Sequence, residues 1–258
     1  MNISSNVKSI KETSYNAVKK FGKIEKSDLG IHFSLNNMFY LFNENGSVNE
    51  MSSHDKEGVL KSKIIFDYNK NGKITEKNTY NFNGSIEEKK ILIYNKSGVA
   101  VEQELYNSEG DLKNKFIYLN DENGNTIKTS VYDSEVKLIG WFDYKIGVNG
   151  KRIESKKYSA DEKLMKKSIL SYDRKGNMIE EKTFNFDGSL YSIEKFDKNE
   201  NVIGKYYYGP ESKDQLKEKM IFEYDEWGNE VKFQKFYELS KMPFHQESSV
   251  YKYNDFGD

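Results

Sequence analysis

Three histidines, His32, His54 and His245, are the side chains whose type suits proton exchange near neutral pH. His54 is followed by Asp55, but neighbours in a strand point to opposite faces and form no acid–base pair. Acid pairs such as Glu87-Glu88 are divided in the same way. They recur with the period of the chain, which fits solvated strand faces better than general acid–base work. The segment Asp197-Lys198-Asn199-Glu200-Asn201 spaces oxygen atoms like the opening of a calcium loop. Such a loop takes Gly at its sixth position and an acid at its twelfth, where this chain has Val202 and Tyr208. No nucleophile elbow, phosphate loop or zinc-ligand spacing occurs. The chain has no cysteine, which removes disulfides, thiolate chemistry and sulfur-ligated metals together. The expectation is therefore no catalytic residue, no metal and no cofactor, with an enzyme carrying an unrecognised site as the least favoured alternative.

Aromatic side chains offer a different chemistry. Tyr (19), Phe (16) and Trp (2) make up 14% of the 258 residues, and stacked rings can form a platform for a sugar or a peptide. A periodic aromatic stripe is more often the packing of the sheet itself. Trp141 and Trp227 are the candidate ligand-contact residues. Trp227 falls at a turn where other copies of the repeat carry Lys or Ser, so the repeat does not require its burial.

Glycine spacing shows what positions these residues. Gly46, Gly58, Gly72, Gly84, Gly98, Gly110 and Gly124 are separated alternately by 12 and 14 residues, and Gly150 and Gly176 follow at intervals of 26. Glu135–Lys137 and Glu162-Lys163 occupy the midpoints where Gly is replaced. The unit is 26 residues long and contains two half-repeats. Its wording recurs as Tyr68-Asn69-Lys70-Asn71-Gly72, Tyr94-Asn95-Lys96-Ser97-Gly98, Tyr172-Asp173-Arg174-Lys175-Gly176 and Tyr224-Asp225-Glu226-Trp227-Gly228. Gly accepts positive φ without a Cβ clash, and the Asx before it caps the turn. Asn-Gly and Asp-Gly between alternating segments are strong hairpin signals, here at Asn45-Gly46, Asn71-Gly72, Asn83-Gly84, Asn123-Gly124, Asn149-Gly150 and Asp187-Gly188.

Turns of ~4 residues leave ~8–10 per strand, too few for a useful helix. In the strands Ile64, Phe66 and Tyr68 share one face and Ile65 takes the other; Phe142 and Tyr144 against Trp141, and Phe222 and Tyr224 against Ile221, repeat that layout. One face should carry an aromatic ladder and be well covered; the other carries single aliphatics among Lys and Glu. Runs such as Ile86-Glu87-Glu88-Lys89-Lys90 and Ile179-Glu180-Glu181-Lys182 supply cross-strand charge pairs. The predicted fold is all-β, an elongated, curved or spiralling antiparallel sheet of about sixteen strands in tandem β-hairpins. It forms one domain over residues 1–258, with a degenerate repeat or cap at 1–41 and tandem repeats over 42–258 that end in a partial copy. In the first 30 residues, Val7, Ile10, Val18 and Phe21 leave a short helix open. Pro210 and Pro243 interrupt the pattern late in the chain.

Composition limits the function classes. Hydrophobic residues reach 36% and charged ones 31%, with a mean hydropathy of −0.85, which implies a shallow core. Forty Lys+Arg against 41 Asp+Glu leave a formal charge of −1, too little to steer the chain onto nucleic acid or an anionic membrane. Apolar runs such as Met38–Phe42 are too short to span a bilayer. The opening Met1-Asn2-Ile3-Ser4-Ser5-Asn6 lacks the basic and apolar regions of a signal peptide.

From Phe42 onward, the Tyr-Asx-x-x-Gly wording resembles the YD repeats of the Rhs (recombination hot spot) family, and the paired-hairpin spacing resembles MORN-type bacterial repeats. The resemblance implies shells or surface structures in the first case and binding or scaffolding in the second. It also carries the expectation that the chain is exported and displayed on a bacterial cell envelope. The expected function is a non-enzymatic binding or structural repeat module, with a carbohydrate- or cell-wall-binding module as the alternative. Its partner would be an unidentified protein or a polysaccharide, with no nucleic acid and no membrane insertion by this chain. Exposed sheet ends would favour end-to-end self-association.

Overall fold

The computed structural model describes residues 7–12, 17–20, 23–26, 37–55, 57–209, 215–225, 230–237 and 245–250, and among these every regular element is a strand. The first are β1 (Ser9–Glu12), β2 (Ala17–Lys20), β3 (Lys23–Lys26), β4 (Asn37–Phe42), β5 (Val48–His54), β6 (Leu60–Tyr68), β7 (Ile74–Tyr80), β8 (Ile86–Tyr94), β9 (Ala100–Tyr106) and β10 (Leu112–Asn120). They are followed by β11 (Thr126–Tyr132), β12 (Leu138–Ile146), β13 (Arg152–Ser159), β14 (Leu164–Tyr172), β15 (Met178–Asn185), β16 (Leu190–Phe196), β17 (Val202–Tyr208), β18 (Leu216–Tyr224), β19 (Glu230–Tyr237) and β20 (His245–Val250). The helix left open near the N-terminus is not formed at residues 9–12 and 17–20, which are strands. Phe21, Pro210 and Pro243 lie outside the described residues.

The chain divides into two units, residues 1–118 with 131–138, and residues 119–130 with 139–258. In the first, β4 to β10 pair antiparallel in chain order, β1 pairs with β4, and β2 and β3 form a hairpin of their own. In the second, β12 to β20 pair antiparallel in chain order.

Thirteen turns among the described residues, from Asn43–Ser47 to Asp197–Asn201, share one hydrogen-bond pattern. The first residue donates its N–H to the carbonyl of the fifth and accepts the N–H of the fourth, as Asn69 does with Lys73 (2.9 Å) and Gly72 (2.9 Å). The fourth residue must therefore adopt positive φ. Gly does so in ten of these turns, and Val136 (φ 61), Glu162 (φ 65) and Glu200 (φ 64) do so in the others. The replaced midpoints in the sequence are thus true turns that carry the strain of a side chain in the left-handed region. The capping Asx is mainly the first turn residue. Asn69 Oδ1 accepts the N–H groups of Asn71 and Lys73, and Asn107, Asp121 and Asp173 act alike. The Asx directly before Gly takes part where expected only in some turns, among them Asn83, Asn149 and Asp187.

After each turn the register slips by one residue, leaving the second residue of the new strand unpaired. Met165, Ile179, Tyr191 and Ile203 occupy such bulges, and all four are exposed. One interval departs from the alternation: β16 has seven residues where β6, β8, β12 and β14 have nine, so its turn at Asp197 arrives two residues early.

No hydrophobic residue is buried among those described; Asn37, Ser52, Ser53, Asn78, Thr129 and Ser192 are the buried polar ones. The expected well-covered aromatic face is corrected accordingly: Ile64, Phe66 and Tyr68 are only half-buried, as is Ile65 on the other face. Rings are shielded sideways by their strand neighbours, as in Phe222–Phe233 at 5.3 Å and Phe142–Tyr144 at 6.2 Å. Cross-strand ion pairs form as the charge runs suggest, including Lys89–Glu76 (2.9 Å), Lys115–Glu102 (2.5 Å) and Lys232–Glu223 (2.6 Å). Exposed pairs of this kind contribute about 0–1 kcal/mol each.

The repeated tyrosine has a specific task. Tyr68 donates its hydroxyl to the Val48 carbonyl (2.5 Å), Tyr94 to Ile74 (2.7 Å), Tyr172 to Arg152 (2.7 Å) and Tyr224 to Val202 (2.9 Å). Each bond reaches back to the strand that follows the preceding turn on the same side of the sheet. Lysine reaches forward: Lys73 donates its ammonium to the Gly98 carbonyl and lies 5.7 Å from the Tyr94 ring centre, and Lys151 does the same with Gly176 and Tyr172 (5.2 Å). Burial raises the pKa of the four tyrosine hydroxyls, so they stay protonated donors.

Replacing Val136, Glu162 or Glu200 by Gly relieves a left-handed side chain costing about 1–2 kcal/mol, less the extra chain entropy of Gly, about 0.5–1 kcal/mol. Each variant should raise the urea midpoint, Val136→Gly most because Val is β-branched; a lowered midpoint would contradict the turn assignment. Tyr94→Phe should cost about 1 kcal/mol in the same assay, and no change would show that the reach to Ile74 contributes nothing.

Candidate functional site

The residues singled out for chemistry are occupied in building the sheet. His54 packs edge-on against Phe39, with ring centres 4.8 Å apart. Asp55 points elsewhere, binding Lys61 Nζ (2.9 Å) and the N–H groups of Glu57 and Val59. The calcium-like segment is a hairpin turn, in which Asp197 accepts the N–H groups of Asn199 (2.8 Å) and Asn201 (2.9 Å) and the Asn201 side-chain amide (3.0 Å). Trp141, in β12, is half-buried and stacked on Tyr158 at 5.1 Å; its indole N–H donates to Asp143 (3.3 Å) and Lys128 Nζ lies 4.8 Å from its centre. Trp227 and His32 lie outside the described residues, as does the side chain of His245.

A different set of side chains converges in the second unit. The register pairs Ser155 with Ser168, Ser168 with Thr183 and Thr183 with Ser192, which puts four hydroxyls in one row across β13 to β16. Phe142, opposite Lys157, flanks the row on the β12 side, and Tyr191, a bulge residue, flanks it on the β16 side. Together with Lys157 and Lys166 they line a groove of about 270 Å³. Ser168 and Thr183 hydrogen-bond to each other through their hydroxyls at 2.9 Å. Ser192 lines the groove and is only 8% exposed.

Two lysines add charge to this groove, in an arrangement that Lys77 and Lys90 share between β7 and β8. Lys157 and Lys166 stand directly opposite each other, an arrangement in which like charges repel. Lys157 Nζ lies 5.7 Å from the Phe142 ring centre and Lys166 Nζ 3.7 Å from that of Tyr191. Neither forms an ion pair among the described residues. On the opposite face Lys156 and Lys167 also stand opposite each other, but there Glu154 lies between them, 3.2 Å from Lys156 and 2.8 Å from Lys167. Hydrogen bonding from Lys167 and then Lys156 holds the Glu154 carboxyl below its usual range. The same lysine pair thus occurs on both faces, bridged by a carboxylate on one and without an ion pair among the described residues on the other. Hydroxyl donors, two free ammonium groups and aromatic side walls suit the groove to binding a polar, hydroxylated ligand.

The sequence analysis placed Phe142 on the ladder but missed the groove. Its hydroxyl residues are spaced by 13, 15 and 9 positions, which reveals no row until the bulges are counted.

No protein-family model matches the chain, and no curated protein matches it. Among solved structures, the chain is similar to the TcdB2-TccC3-TEV crystal structure at 9% identity and a TM-score of 0.34, over 96% of this chain and 16% of that one. It is also similar to a porin-like protein from Bacteroides uniformis, at 8% identity and a TM-score of 0.39, over 83% of this chain and 88% of that one. The Photorhabdus luminescens Tc holotoxin pore matches at 10% identity and a TM-score of 0.25, over 83% and 16%. The chain thus spans about a sixth of the length of the TcdB2-TccC3-TEV chain. No residue role is carried over from these likenesses.

Acid titration offers a test of three of the capped turns. The Asn125 side chain holds the Asp121 carboxyl below its usual range, and the Asn177 backbone N–H does so for Asp173. At Asp197 desolvation pushes upward, but the side chain and N–H of Asn201, the N–H of Asn199 and the charge of Lys198 together lower it. A carboxyl depressed in the folded state stabilises fully above its unfolded pKa, ~3.9, and loses that contribution as pH falls through the folded value. Asp121→Asn, Asp173→Asn and Asp197→Asn combined should therefore flatten the fall of the urea midpoint below about pH 4. An unchanged pH profile would show that these carboxylates do not govern acid stability.

Proposed function

We propose that the chain is a non-enzymatic binding module, a hairpin repeat of the YD (Rhs-like) or MORN-like kind, displayed on a bacterial cell envelope. It takes polysaccharide in the groove lined by Phe142, Tyr191 and the hydroxyl row. The observation that carries this reading is the row of Ser155, Ser168, Thr183 and Ser192 in one groove with the rings of Phe142 and Tyr191. Sugars present hydroxyl edges and apolar faces together, and a floor of Ser and Thr with rings at the rim matches both. Several Lys and Glu side chains elsewhere pair with each other and the repeated tyrosines bind neighbouring backbone, which supports the role of a rigid carrier for this surface. Purified protein should co-sediment with isolated envelope polysaccharide or peptidoglycan in a salt-resistant manner. Tyr191→Ala, at a 36% exposed bulge, should weaken binding about tenfold, as loss of ~1.4 kcal/mol of ring contact implies. Absence of binding to all such polymers at low salt would overturn the polysaccharide reading and leave a protein-contacting scaffold.

A further inference from the structure

The lysine pair in the groove narrows the ligand class, an inference that rests on the polysaccharide-binding reading above. Lys157 and Lys166 are cross-strand partners with Cβ atoms about 4.5–5.5 Å apart. Each ammonium turns onto an aromatic ring, at Phe142 and at Tyr191, and neither has a carboxylate, whereas the equivalent pair on the other face shares Glu154. An anion lodged between them would take the place that Glu154 fills on the opposite face.

The donor types point to the kind of anion. A planar carboxylate is best held by the two-pronged guanidinium of arginine, and no arginine lines the groove. Lysine acts as a point charge whose three N–H donors accommodate a tetrahedral anion equally well from several directions. Serine and threonine hydroxyls, which rotate to suit, complete its shell, and Ser155, Ser168, Thr183 and Ser192 all line the groove. We propose that the groove binds a phosphate-bearing polyol: the phosphodiester sits between Lys157 and Lys166, the alditol or sugar hydroxyls lie along Ser155, Ser168, Thr183 and Ser192, and Phe142 and Tyr191 cover the carbon backbone. A poly(alditol phosphate) chain of a cell envelope has this chemistry.

Calorimetric titration of the full chain tests it, using a glycerol-phosphate oligomer, an oligogalacturonate, a neutral oligosaccharide of similar length, inorganic phosphate and single-stranded oligo-dT. The glycerol-phosphate oligomer should bind at least tenfold more tightly than either the neutral or the carboxylated glycan, and more tightly than inorganic phosphate. Raising the salt from 50 to 500 mM should weaken it several-fold, because the two ammonium groups are partly exposed to solvent. Lys157→Gln with Lys166→Gln should abolish that preference, while Lys156→Gln on the opposite face leaves it intact. Relief of the lysine repulsion should keep the thermal midpoint of the double variant at or above that of the parent, so that lost binding is not lost folding.

Equal affinity for phosphorylated and neutral oligomers would overturn the phosphate assignment and leave the polysaccharide reading standing. Preference for oligogalacturonate would overturn the choice of anion, and equal or tighter binding of oligo-dT would overturn the choice of polymer. Binding of none of the glycans would overturn both readings.

Discussion

Thirteen times among the described residues the backbone turns through a residue with φ between 61° and 88°, and nearly every other feature of the structure follows from that conformation. A three-residue turn closing on a left-handed fourth position has a twist compatible with paired antiparallel strands. It also fixes where the next strand starts. The bulge that follows each turn shifts the register by one residue, so the facing of side chains depends on the turn and the bulge together. Where Gly gives way to Val136, Glu162 or Glu200, the turn persists. The neighbouring hydrogen bonds and strand pairing therefore outweigh a local penalty of about 1–2 kcal/mol.

Such strict turns compensate for the lack of a buried apolar core among the described residues. A domain held by a hydrophobic interior tolerates irregular loops, because distant contacts fix the strands. Here each strand is held chiefly by its two neighbours, and stability accumulates along the chain as in other linear repeats. Tyr94 reaching back to Ile74 and Lys73 reaching forward to Gly98 extend this coupling from one strand to the next turn on the same side. Those links explain why Tyr is retained at a position that the strand pattern alone would allow any β-former to occupy.

Much of this was legible in the sequence because it is local. Positive φ, Asx capping and period-two alternation each act over a few residues, so Tyr68-Asn69-Lys70-Asn71-Gly72 declares its turn directly. The cap lies at the first turn residue rather than at Asn45, Asn71 or Asn123, because Asn71 and Asn69 are equally good Asx residues and only the hydrogen bonds separate them. The aromatic face was read as well covered, since alternation shows which residues share a face but not whether anything lies over it. The groove was invisible for a related reason. Its residues come from five strands, and one uncounted bulge sends Lys157 or Ser192 to the other face. Trp141, the conspicuous residue by type, is engaged by Tyr158, Asp143 and Lys128.

A repeat of this kind separates the work of folding from the work of recognition. The turns and the Tyr and Lys links along the edges carry the register, so side chains in the middle of the strands are free to differ between copies. Across β13 and β14 that freedom shows in the contrast between the two faces. Lys156, Lys167 and Glu154 follow the charge-paired pattern found elsewhere, whereas Lys157 and Lys166 face each other without a carboxylate. Charge repulsion there lowers stability slightly and serves no purpose in the fold, since one Glu at either position would relieve it. Where such a lysine pair shares one groove with a row of hydroxyl residues and two aromatic rings, an anionic, hydroxylated ligand would relieve the repulsion and use the donors.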